Sequence, residues 1–92
     1  MELTIRHRPE SGRFETEVDG HLAVLSYRRQ QGRILVDHVG VPAAVEGRGI
    51  AGQLTRHALD WARESDLRVT PICPYVVAWI RRHPAYSDLV LD

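Results

Sequence analysis

The chain has no lysine and no asparagine, a single cysteine, a single phenylalanine, and no excess of either charge among its 92 residues. A lone Cys73 excludes an internal disulfide, so nothing covalent braces the fold. Twelve basic residues stand against twelve acidic ones. A formal charge of zero provides no field to gather nucleic acid or an anionic membrane, and any phosphate recognition has to be local. That all twelve bases are arginine fits either a surface of fixed, fork-shaped donors or the codon bias of a GC-rich genome. No stretch approaches the ~20 apolar residues that span a bilayer, and the opening MELTIRHRPE lacks the apolar core of a signal peptide. These absences predict a cytoplasmic protein with neither membrane nor nucleic-acid partners. Ninety-two residues, 43% of them hydrophobic, fit one domain over residues 1–92 with one core and little stability to spare.

What is present is a change of period halfway along. A short strand at Leu3 to Arg6 precedes a loop at Pro9 and Gly12. RFETEV then alternates Phe14, Thr16 and Val18 against Arg13, Glu15 and Glu17, as in a strand with one wet face. Asp19-Gly20 favours a tight hairpin, so HLAVLSYRR returns antiparallel. A second turn at Gln30 to Gly32 leads into RILVDHVGV, rich in β-branched residues. From Ile50 the apolar positions Ile50, Leu54, Ala58, Trp61 and Ala62 follow the period of a helical face. RVTPIC supplies another strand, whose Pro71 marks a sheet edge or bulge. Pro74 opens a second helix at a position where its missing N–H costs nothing, and that helix runs to His83, before Pro84. The tail AYSDLVLD reads as a last strand. The helix between two strands implies a parallel crossover. The expected class is α+β, a mostly antiparallel sheet with one parallel β-α-β crossover and a C-terminal helix.

VEGRGIAGQL, Val45 to Leu54, places three glycines directly ahead of the first helix. Glycine loses the most backbone freedom on folding, so its concentration here needs a reason. A strand-loop-helix junction aims loop amides and the first helical N–H groups at one point, which suits an anion such as phosphate. Gly47 and Gly49 allow close approach, and Arg48 between them offers a fixed charge. The loop lacks the Gly-Lys-Ser/Thr of a P-loop.

VGVPAAVEGRGIAGQL resembles the acetyl-CoA-binding segment of the GNAT N-acetyltransferase superfamily, whose pattern is Gln/Arg-x-x-Gly-x-Gly/Ala. Gly49 and Ala51 match its last two positions, and Glu46 stands where Gln or Arg is usual. CPYVVAWIRRHPAYSDLV is similar to the same part of a branch of GNAT-like proteins of about this length, so the resemblance runs from about Phe14 to Val90. It implies a compact GNAT-like fold and acetyl-CoA as co-substrate, with no metal. The pantetheine arm would pair with backbone at Val39, Gly40 and Val41, and the pyrophosphate would sit on Gly47, Arg48, Gly49, Ile50 and Ala51. The implied activity is acetyl transfer to a primary amine of unspecified identity. A module that binds or senses acyl-CoA without turnover is the alternative, and an interaction domain whose glycine loop is only structural is a third.

Acetyl transfer needs a free amine, a polarised carbonyl and a proton for the leaving thiolate. Cys73 ends a strand beside the expected cleft and precedes Pro74 at a helix start, where the dipole favours a thiolate and an acetyl-cysteine intermediate becomes conceivable. His38 lies near the end of the preceding strand and is a candidate base, with Asp37 expected on the opposite face. Tyr86, and less so Tyr75, are candidate proton donors, as a tyrosine often is in this superfamily. Arg81, Arg82 and His83 suit the carbonyl end of their helix, and Trp61 and Trp79 suit core packing. A sheet edge near Pro71 or at the tail is a place where a homodimer could form.

Overall fold

A computed structural model describes residues 2–90. Five strands form one sheet in sequence order: β1 (Arg6–Arg8), β2 (Arg13–Val18), β3 (His21–Gln30), β4 (Arg33–Gly40) and β5 (Arg68–Pro71). The first four are antiparallel neighbours, and β5 pairs parallel with β4 from Arg33–Arg68 to Val36–Pro71. The crossover between them is helix α1 (Ile50–Glu64), and helix α2 (Pro74–Arg82) follows β5. The expected α+β class, with its antiparallel meander, parallel crossover and C-terminal helix, is the architecture observed.

The local reasons match the sequence. Asp19 (φ 50°) and Gly20 (φ 78°) both take the left-handed region, as a two-residue hairpin turn requires. Phe14, Ala23, Leu25, Tyr27, Ile34 and Val36 share one face of the sheet and form a single core cluster with Leu54, Ala58, Leu59, Val76 and Trp79 of the helices. Each Val, Leu, Ile or Phe side chain that becomes fully buried contributes about 1.5–3 kcal/mol. The other face carries ion pairs in place of helices: Glu15 lies between Arg8 at 3.0 Å and Arg13 at 3.2 Å, and Arg28 grips Asp37 through two hydrogen bonds of 2.9 and 3.0 Å.

Three segments differ from the sequence expectation. The first strand starts at Arg6; Leu3 and Ile5 pack against the core without entering the ladder. The tail forms a 3-10 helix (Pro84–Leu89) in place of a strand, and only Val90 bridges Val69 in parallel fashion. Pro84 starts the tight turn, Ser87 Oγ donates to its carbonyl at 2.8 Å, and Arg63 pins the segment through Asp88 at 2.8 Å. The rest of that expected strand, Leu91 and Asp92, lies outside the described residues. The third difference is in β4. The β3–β4 register shifts between Ser26 and Tyr27, so that His38 faces Ser26, Val36 faces Tyr27, and Asp37 is an extra, bulged residue.

Candidate functional site

The bulge determines which side chains of β4 meet. Strict alternation would put Asp37 and His38 on opposite faces, but the inserted residue places both on the open outer face. There Asp37 bonds Arg28, and the His38 ring lies so close over Gly40 that a Cβ on that glycine would stand 2.8 Å from Nε2. Val39, opposite Leu25, turns inward. Beyond the bulge β4 and β5 part: the N–H groups of Ile72 and Cys73 both donate to the Val36 carbonyl at 3.0 Å, and no further pair of the ladder follows.

Past β4 the chain makes a 3-10 turn over Ala43–Val45, closed by Val45 N–H on the Pro42 carbonyl at 3.0 Å and anchored by the buried Val45. Gly47 (φ 80°) and Gly49 (φ 76°) then turn through the left-handed region, with Gly49 as the N-cap of α1. The first intrahelical bond runs from Gln53 N–H to the Gly49 carbonyl at 3.1 Å, so the amides of Ile50, Ala51 and Gly52 precede it and lack a helical acceptor. The first turn contains no acidic residue, and Gly49 makes no side-chain cap bond. The fifteen-residue dipole of α1 therefore ends in a cradle of free donors.

This cradle forms one wall of a cleft of about 440 Å³, lined by Val39, Val41, Val45, Glu46, Gly47, Gly49, Ile50, Ala51, Gly52 and Tyr75. That size is within the usual range for ligand sites. Two segments expected to act together, Val39–Val41 and Gly47–Ala51, thus face each other. Gly40 and Arg48 are absent from the lining. Gly40 faces outward under His38, and Arg48 Nη1 donates to Asp19 Oδ2 of the β2–β3 hairpin at 2.7 Å.

The expected catalytic side chains are dispersed. Cys73 is 7% exposed, in the core, at the N-cap of α2. His38 is exposed on the outer face. Tyr86 lies against the flank of α1, donating to Asp60 Oδ1 at 2.8 Å and accepting from Arg56 Nη1 at 3.4 Å. Burial, then the bond to Asp60, pushes the Tyr86 hydroxyl pKa up, against a smaller pull from Arg56. The tyrosine that does line the cleft is Tyr75, whose hydroxyl would stand 3.5 Å from a Cβ on Gly52. Its place just after Cys73-Pro74 was the only sequence signal for it. Arg81 and Arg82 occupy the last turn of α2, and His83 Nδ1–H donates to the Trp79 carbonyl at 2.8 Å while its ring stacks on the Trp79 ring at 3.9 Å. Among the described residues no group of His, Cys, Asp and Glu is arranged to hold a metal, and no helix is long and apolar enough to cross a membrane.

A model of the family described as GCN5-related N-acetyl-transferase matches residues 13–89. Protein NATD1 of Mus musculus is 33% identical over 85 residues, covering 89% of this chain and 77% of that protein. Protein NATD1 of Homo sapiens is 33% identical over 85 residues, covering 89% and 75%. The NMR solution structure of a GCN5-like protein from Staphylococcus aureus superimposes with a TM-score of 0.77 at 26% identity, covering 97% of this chain and 88% of that one.

Proposed function

The chain belongs to the GCN5-related N-acetyl-transferase family, and from that membership we propose that it transfers the acetyl group of acetyl-CoA to a primary amine. The observation that carries the reading is the cleft. A strand end freed from its neighbour and a glycine-built anion cradle face each other across a space of ligand size. In this reading the amides of the Gly47–Ala51 loop and the first turn of α1 hold the diphosphate, aided by the dipole. The backbone of Val39–Val41, released from β5, pairs with the amide-bearing arm of the coenzyme.

Acetyl-CoA, when bound, supplies an activated thioester. Two side chains then divide the remaining tasks. Cys73 stands where β5 leaves β4 and α2 begins, and takes the role of acyl relay. Tyr75, two residues on, presents a phenolic proton to the cleft, suited to a departing thiolate. His38 has no step in this scheme, because it lies on the outer face, across the sheet from Cys73 and outside the cleft lining. Tyr86 has no step in this scheme, because its hydroxyl is committed to Asp60.

A second reading, a module that binds acyl-CoA without turnover, is favoured by one observation: among the described residues, Glu46 and Tyr75 are the only titratable ones lining the cleft. Thermal unfolding with and without acetyl-CoA, with adenosine diphosphate as control, tests the common premise. Ligand at ~100 times its dissociation constant adds about 2.7 kcal/mol, which is a rise of roughly 11–22 °C for a domain of this size. No rise with millimolar acetyl-CoA removes both readings. Multiple turnovers with any member of an amine panel remove the second.

A further inference from the structure

The anion cradle of this chain is built against its own ligand. Arg48, within the glycine loop, is engaged by Asp19 at 2.7 Å, across 29 positions of sequence. Glu46, where the family's usual residue is Gln or Arg, lines the cleft, and among the described residues its carboxylate makes neither a hydrogen bond nor an ion pair, its backbone N–H alone bonding the Ala43 carbonyl at 3.3 Å. One arginine thus stands against two carboxylates, in a place where a diphosphate must bring more negative charge. The Asp19–Arg48 contact is exposed, with 66% of the Asp19 and 38% of the Arg48 side chain accessible, so it is weak enough to exchange. Its geometry is nevertheless specific. Asp19 sits in the left-handed region at the tip of the β2–β3 hairpin, directly before Gly20, and that turn aims its carboxylate at the loop.

We propose that Asp19 is the resting partner of Arg48, that Arg48 exchanges it for the diphosphate of the coenzyme, and that Asp19 and Glu46 together hold coenzyme affinity down. This rests on the coenzyme reading above. The two carboxylates act by different routes. Asp19 acts only through Arg48, because its effect is to occupy the guanidinium. Glu46 acts directly, by repulsion inside the cleft, whether or not Arg48 is present. Weak binding has a use in a transferase, since release of the spent coenzyme limits many turnover rates.

The test is calorimetric titration of coenzyme A and of adenosine diphosphate into the protein and into five variants: Asp19→Asn, Glu46→Gln, Arg48→Gln, and the latter combined with each of the others. Asparagine accepts the left-handed backbone of position 19, and all three positions are exposed, so the fold is retained; circular dichroism verifies this. Asp19→Asn tightens coenzyme A by about two- to fivefold at low salt, the scale of an exposed ion pair, and changes nothing once Arg48 is glutamine. Glu46→Gln tightens binding in both backgrounds. The proposal is overturned if Asp19→Asn leaves affinity unchanged or weaker with Arg48 present, or if it tightens binding equally without Arg48. Absence of coenzyme binding in the unmodified protein and all variants removes the coenzyme reading itself, an outcome distinct from normal binding that is indifferent to Asp19.

Discussion

Two glycines three positions apart are expected to respond to alanine with opposite sign. Gly49 has φ 76° and nothing within 4 Å of where a Cβ would sit, so alanine there meets no clash and the whole effect is backbone strain. An L-residue in the left-handed region costs roughly 1–2 kcal/mol, which lowers the unfolding midpoint by roughly 4–16 °C. Gly52 is inside α1, with its added Cβ at ordinary contact distance, 3.5 Å from the Tyr75 hydroxyl and 3.6 Å from Trp79 Nε1. Alanine there recovers helix propensity worth about 0.5–1 kcal/mol and raises the midpoint by roughly 2–8 °C. Gly49→Asn separates strain from mere loss of glycine, because asparagine tolerates positive φ. It should fall between the unmodified protein and Gly49→Ala. The assay is thermal unfolding followed by circular dichroism, with urea titration to express each shift as a free energy. The reasoning is refuted if Gly49→Ala unfolds at the temperature of the unmodified protein, if asparagine is worse than alanine, or if Gly52→Ala is as destabilising as Gly49→Ala.

Cys73→Ala should reduce acetyl transfer at least about a hundredfold, within the range of a lost nucleophile, and leave coenzyme binding within a factor of two or so. Retention of full turnover would eliminate the relay and leave direct transfer. Tyr86→Phe removes the donor to Asp60 and should cost about 0.5–1.5 kcal/mol in urea unfolding, with no effect on coenzyme affinity. The pKa of His7 is lowered by burial first and by His57 second, against a smaller opposing effect of Glu10. Its ring stacks on Phe14 at 4.0 Å and bonds the Tyr27 hydroxyl at 2.5 Å. Because the unfolded chain binds this proton more readily, His7 lends stability that is present above the ordinary histidine range and is lost as pH falls through 6.5 toward the lower folded value. Unfolding free energy measured between pH 7.5 and 5, two assay points chosen on about either side of that range, should fall less steeply for His7→Phe than for the unmodified protein. Equal slopes would count against the assignment.

The meander and both helices were legible because their signals are local. Phe14, Thr16 and Val18 alternate along one strand, Asp19-Gly20 dictates a hairpin, and Ile50, Leu54 and Ala58 mark a helical face wherever the chain goes afterwards. The glycine-built turn was legible for a related reason: Gly47 and Gly49 just before a helix start announce an unusual backbone, and both do take positive φ. The tail was misread because its alternation is weak, and the contacts that coil it, Arg63 with Asp88 and Tyr86 with Asp60, come from residues more than twenty positions away.

The placement of the candidate catalytic side chains depended on the tertiary structure throughout. A bulge at Asp37 exists only relative to the partner strand, so no pattern within RILVDHVGV reveals that Asp37 and His38 share a face. Where β4 and β5 part is set by the pairing of Val36 with Pro71, and that point decides that Cys73 and His38 lie on opposite sides of the sheet. The sequence favours Tyr86 over Tyr75, and packing reverses that order by sending Tyr75 to the cleft and Tyr86 to Asp60. Composition and period therefore determined the class, the order of the meander, crossover helix and C-terminal helix, and the glycine-built turn ahead of α1, because those follow from backbone preference and burial of one face. The company each functional side chain keeps, Arg48 with Asp19 above all, was decided by the tertiary structure, because such contacts join segments that only the folded sheet and helices bring within reach.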